Sequence, residues 1–102
     1  MARRKIVAGN WKMNKLVEEA TQYSEIFAET LRKEGVDHDK IDVAVCAPFL
    51  YLSAMKVIFL LRGIDVGAQN LHYEDSGAFT GEISAKMLQD LILHIDGNMV
   101  VT

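Results

Sequence analysis

The sequence holds one cysteine, one proline and one tryptophan in 102 residues. A lone thiol, Cys46, can close no internal disulfide, and it lies in an apolar run, which fits a reducing cytosol. One proline and seven glycines exclude collagen-like and low-complexity chains. No uncharged run approaches the about 18 residues that a membrane helix needs. The basic start, Met-Ala-Arg-Arg-Lys, lacks the apolar stretch of a secretory signal. Eleven Lys and Arg face fourteen Asp and Glu, a formal charge of −3. That balance supplies no footprint for nucleic acid and no basic patch for a membrane surface. What is present is ordinary globular composition, so the expectation is one soluble, cytoplasmic domain spanning residues 1–102.

Hydrophobic patterning then divides the chain. Lys5-Ile6-Val7-Ala8-Gly9 is a short β-type run. Leu16, Ala20, Tyr23, Phe27 and Leu31 recur at three- and four-residue spacing, with Glu18, Glu19, Glu25, Glu29 and Arg32 mainly between them. This predicts an amphipathic helix over about 16–34, started by Asn14 or Lys15 and terminated by Gly35. Ile41 to Ala47 is a second strand, and Pro48 suits the first turn of a helix through about 61. Ile64 to Ala68 is a third strand. A polar, glycine-containing loop runs from Gln69 to Gly81, and a last helix begins near Ser84 and reaches about Leu91. Strands alternating with helices predict a parallel sheet joined by right-handed crossovers. A doubly wound sheet and a piece of a (β/α)8 barrel satisfy the pattern equally. The second helix is apolar almost all round at Val57-Ile58-Phe59-Leu60-Leu61, and such a helix expects a second surface to bury against.

Two segments carry candidate chemistry. In parallel α/β folds ligands bind beyond the carboxyl ends of the strands, which puts Asn10 and Lys12 on the functional rim. An ammonium beside an amide suits an anionic, oxygen-rich ligand, although a loop lysine and a turn-forming asparagine have the same spacing. The loop after the third strand is longer than the usual βα connection, which points to a functional or interface role. Phe79 near its tip can bury against a partner or fold back on its own loop.

Val7-Ala8-Gly9-Asn10-Trp11-Lys12-Met13-Asn14, Cys46-Ala47-Pro48, Gly67-Ala68-Gln69-Asn70 and Gly77-Ala78-Phe79-Thr80-Gly81-Glu82-Ile83-Ser84 stand in order and at the right separations. Together they resemble the amino-terminal part of triosephosphate isomerase over about residues 4–91. The resemblance implies a partial (β/α)8 TIM barrel of about three to four βα units and a homodimer. It implies cofactor-free, metal-free interconversion of dihydroxyacetone phosphate and glyceraldehyde 3-phosphate in glycolysis and gluconeogenesis, through an enediolate. It implies that Asn10 and Lys12 contact a small phosphorylated triose. Lys12 would act in catalysis by offsetting phosphate and enediolate charge. It places Thr80 at the tip of a loop reaching into a partner subunit, with Phe79, Gln69, Asn70 and Glu82 as interface or supporting residues.

The likeness is expected to stop near Leu91. The family's Gly-His-Ser-Glu segment would put its histidine at Val100, and residues 92–102 do not contain it. His94 comes six residues early in an apolar stretch and reads as structural. The glutamate base is likewise absent from these 102 residues. The expectation is therefore a catalytically incomplete chain, with a self-associating βα module or one half of a split isomerase as alternatives. For the tail, Asp96-Gly97 can turn a β-hairpin. Alternatively, the last helix extends to Ile95, stops at Gly97 and leads into a fourth strand at Asn98–Thr102.

Overall fold

Each predicted strand is flanked by polar breaks, and in the computed structural model, which describes residues 3–96, all three pair in parallel. β1 is Lys5–Asn10, α1 Val17–Lys33, β2 Ile41–Ala47, α2 Phe49–Phe59, β3 Ile64–Ala68 and α3 Ala85–Asp96. The sheet order is β1-β2-β3, with Val7 opposite Val43 and Val43 opposite Ile64. Two successive right-handed crossovers in one direction place their helices on the same side of the sheet. That side buries Val43, Val45 and Ala47 of β2 and Ile64 and Val66 of β3. Leu52, Met55 and Phe59 of α2 complete this core. The opposite side carries Ile6, Ala8 and Asn10 beside Asp42, Ala44 and Cys46, then Asp65 and Gly67.

The near-continuous apolar character of α2 has its cause here. The helix lies between α1 and α3 and also packs on β3, so three of its sides meet protein. Much of the second surface it called for is thus supplied by its own chain. Phe59 is fully buried, whereas Leu50 and Val57 on the remaining side are exposed. The helix also ends two residues earlier than its sequence implies. Leu60 turns extended, at φ −56° and ψ 129°, and Leu61 adopts φ 60°.

The start of α1 differs from expectation. Lys15 has φ 74°, which is incompatible with a helical first turn, so the helix begins after Leu16. Asn14 does not cap it; its Nδ2 donates to the Trp11 carbonyl at 2.8 Å. Glu19 instead reaches back, its Oε1 accepting from the Leu16 N–H at 3.1 Å. Leu16, expected on the core face, is 74% exposed as a consequence. At the other end Gly35 does terminate the helix at φ 68°. The Val36 N–H donates to Leu31 O and the Gly35 N–H to Arg32 O, both at 3.2 Å, the paired bonds of a Schellman ending.

Ser84 caps α3 by accepting the Met87 N–H on its Oγ at 3.1 Å. The helix continues through Asp96, so residues 91–95 are helical rather than one arm of a hairpin. The expected fourth strand at 98–102 lies outside the described residues. Among the described residues, no helix is long and apolar enough to cross a membrane.

Candidate functional site

The carboxyl end of β1 opens into a segment whose backbone is unusual. Lys12 has φ 58° and Lys15 φ 74°, left-handed conformations that cost a side-chain-bearing residue about 1–2 kcal/mol each. Such strain persists only where surroundings hold it. At Lys12 the hold is a small polar network. Asn10 Oδ1 accepts the Lys12 N–H at 2.9 Å and Gln69 Nε2 at 3.0 Å. The same Gln69 nitrogen donates to the Lys12 carbonyl at 2.9 Å. Gln69 follows β3, so a residue 59 positions away in sequence clasps the β1–α1 segment.

Beneath this network an aromatic cluster fixes the segment to the helices. The Trp11 N–H donates to the Cys46 carbonyl at 3.3 Å, extending the β1–β2 ladder by one bond. The indole meets Tyr23 edge-on, with centroids 5.4 Å apart, and Tyr51 at 6.1 Å. Lys15 lays its ammonium 4.8 Å from the Tyr23 ring centroid and 5.7 Å from that of Trp11, an arrangement in which the ring faces attract the cation. The Tyr51 hydroxyl donates to the Lys15 carbonyl at 2.8 Å. Sequence reasoning missed Lys15 and Tyr51. The available signal was a tyrosine within an apolar helix, since a buried ring must still find an acceptor for its hydroxyl.

With its backbone held from both sides, the Lys12 side chain stays exposed and, among the described residues, makes no ion pair. Asn10 and Lys12 are thus brought together at the carboxyl rim, as the sequence implied. Gln69 joins them directly. Asn70, beside it, is exposed.

The remaining predicted residues lie in the long loop between β3 and α3. Phe79 folds back on its own loop, its ring 4.3 Å from that of His72, and is 44% exposed. A Cβ on Gly77 would come within 2.7 Å of the Phe79 ring, so the glycine makes this close approach possible. The Glu82 N–H donates to the Phe79 carbonyl at 3.1 Å, closing a turn in which Gly81 takes φ 86°. Thr80 sits on the corner of that turn and faces outward. Among the described residues, no hydrogen bond joins it to the Asn10–Lys12 segment. Glu82 has its carboxylate 3.9 Å from His72 Nδ1. The side chain of His94 lies outside the described residues.

On the outer surface of α1 the Arg32 guanidinium, hydrogen-bonded to Glu29, holds that carboxyl below its usual range and is itself raised. A groove of about 490 Å³ lies elsewhere, between Arg32, His38 and Leu61, near the opposite ends of the strands.

The chain is similar to known proteins throughout these elements. The family model described as triosephosphate isomerase matches residues 5–96. The match therefore runs five residues past Leu91, through the end of α3. Among curated relatives, the triosephosphate isomerase of Alkaliphilus metalliredigens (strain QYMF) is 48% identical over 89 residues, covering 87% of this chain and 34% of that protein. That of Clostridium botulinum (strain Loch Maree / Type A3) is 49% identical over the same length and shares of both chains. That of Alkaliphilus oremlandii (strain OhILAs) is 43% identical, again over 89 residues. The chain spans about a third of the length of the curated relatives it matches. A left-handed lysine held at the carboxyl end of the first strand, in a parallel βα series matched from Lys5 to Asp96, is the setting in which the assignment rests: the chain belongs to the triosephosphate isomerase family.

Proposed function

We propose that this chain supplies the anion-holding part of a triosephosphate isomerase site and is catalytically incomplete by itself. The reaction served is the interconversion of dihydroxyacetone phosphate and glyceraldehyde 3-phosphate in the cytoplasm. Lys12 offsets the charge of the phosphate and of the enediolate, and Asn10 orients the same ligand by hydrogen bonding. The observation carrying this reading is the exposed Lys12 ammonium on a backbone fixed by Asn10 and Gln69. Moving a proton between adjacent carbons also needs a base within hydrogen-bond reach. Among the described residues, no carboxylate or imidazole is bonded to Asn10 or Lys12.

The 102 residues act as one partial-barrel domain, and a homodimer is the assembly that fits the exposed loop. In it Thr80 and Phe79 reach a second subunit, with Gln69, Asn70 and Glu82 behind them. The test is binding of 2-phosphoglycolate, an enediolate mimic, by the purified chain, alongside an assay of triose phosphate turnover. Binding that weakens at least about tenfold in Lys12→Met, without turnover, is the expected result. Equal binding by both proteins overturns the assignment of Lys12, and turnover well above buffer overturns the incompleteness.

A second reading, a non-catalytic self-associating module, is favoured by β1, where Ile6 is 71% and Val7 59% exposed. It predicts that Ile6→Lys lowers the sedimenting mass. A split isomerase predicts turnover only when the complementary polypeptide is added.

A further inference from the structure

The long loop between β3 and α3 closes around one imidazole. His72 donates its backbone N–H to the Ile83 carbonyl at 2.9 Å, which pins it at the base of the loop beside Ser84. Its ring meets those of Phe79 at 4.3 Å and Tyr73 at 4.6 Å between centroids. Only 15% of the side chain is exposed, and Nε2 is buried with no hydrogen-bond partner among the described residues. Nδ1 stands 3.9 Å from a Glu82 carboxylate oxygen, beyond hydrogen-bond length but within reach of an ion pair.

The charged groups around this ring are of one sign. His72 lines a cavity of about 60 Å³ together with Glu74, Asp75 and Glu82, and no lysine or arginine lines it. From α3 comes Met87, which is uncharged, and Tyr73 brings a phenol. A neutral imidazole leaves one nitrogen as a bare acceptor, and an ionised carboxylate cannot donate to it. An imidazolium presents a donor at both nitrogens, and aromatic faces attract its charge at these separations. The surroundings thus suit the protonated ring better than the neutral one. We propose that His72 is a pH-operated latch: protonated, it draws in the Glu82 carboxylate and holds Phe79 folded back on the loop, and neutral, it lets both go. Histidine changes charge between about pH 5 and about pH 8, so the latch closes on the acid side and opens as pH rises and the proton leaves. It acts within one chain and needs no second subunit.

The chain, labelled with nitrogen-15, is followed by NMR from about pH 8 to about pH 5.5, a span that covers the histidine charge change. The concentration is one at which sedimentation gives the same mass throughout. The His72 ring nitrogens report the proton, and the Glu82 amide, which closes the turn on the Phe79 carbonyl, reports the loop. The expected result is one titration curve shared by both. Protection of the Glu82 amide, corrected for the intrinsic pH dependence of exchange, should be about threefold higher at the acid end. His72→Phe keeps a ring beside Phe79 and carries no proton, and Glu82→Gln keeps the size and removes the charge. Both should flatten the change, in chains whose Val43 and Val45 amides in β2 stay protected. Separate midpoints in the wild-type chain, protection that stays level or falls toward acid, or a change that survives in either variant overturns the proposal. Where a variant fails to fold, the wild-type curves alone decide it.

Discussion

β1 and β2 differ little in composition yet differ entirely in surroundings. Val43, Val45 and Ala47 of β2 are buried under α2, whereas all six residues of β1 are exposed, Ile6 and Val7 among them. β2 has a strand on each side and a helix layer over it. Among the described residues, β1 has one paired edge and neither face covered. An Ile-Val-Ala strand with this environment is a surface awaiting a neighbour, since exposed apolar edges invite pairing. The lesson is that stability and function are separated within the chain. The core sits around β2, β3 and α2, while the candidate site hangs from the bare strand and is held in place by Gln69 from the far side of the sheet.

The largest effect expected from this contrast is at Phe59, which fills the core between α1, α2 and the sheet. Phe59→Ala should lower unfolding stability by about 3–5 kcal/mol, measured from urea unfolding. Ile6→Ala should cost less than about 0.5 kcal/mol in the same assay, as exposed positions do. If both changes cost the same, β1 is covered in solution, and sedimentation at the assay concentration would identify the cover as another copy.

Gly63 comes next. It holds φ 73°, and a Cβ there would lie 2.5 to 2.9 Å from three atoms of the His38 ring. Gly63→Ala should cost about 1–3 kcal/mol, from backbone strain and collision together. Adding His38→Ala should recover the collision part alone. Additive losses in the double variant would show that the ring does not rest on Gly63. This contact belongs to the ends of the strands away from Asn10, so 2-phosphoglycolate binding should be unchanged.

How much of this was legible in the sequence follows from where the information lies. β2 and β3 were readable to the residue because apolar runs between polar breaks leave little choice. The early end of α2 was not. Leu60-Leu61-Arg62 consists of good helix formers, and the chain leaves the helix ahead of Gly63, which lies against the His38 ring, a contact across 25 residues that no local pattern announces. The delayed start of α1 was hidden for a related reason. Asn14 looks like a cap, but its amide serves Trp11, and the left-handed Lys15 is held by Tyr51 from α2. At the site, the motif order carried Asn10 and Lys12. The direct clasp by Gln69 was visible only as a supporting role, because no local pattern says which two strand ends become neighbours. Phe59 belongs to the core, so self-association through α2 is tested at the exposed Leu50 and Val57.

The smallest effect concerns exposure of the opposite kind, polar and paired, on the outer surface of α1. Arg32 donates to both carboxylate oxygens of Glu29, at 3.1 and 2.5 Å. That hydrogen bonding lowers the Glu29 pKa against an opposing loss of hydration, and the charges of Arg32, Lys33 and Arg62 lower it further. A carboxyl whose folded pKa is depressed stabilises the fold above its unfolded pKa. The contribution disappears as pH falls from the ordinary glutamate range through the lower folded value. Because the pair is fully exposed, solvent screens it, and the expected stability change is slight. The titration itself is the readout. The Glu29 Cδ shift should titrate below the usual glutamate midpoint, and in Arg32→Gln it should return toward that midpoint. An unmoved midpoint would show that water, not the guanidinium, is the partner of Glu29. A surface that keeps its own polar groups paired in this way needs no second copy, which is what sets α1 apart from the bare apolar strand at the other end of the sheet.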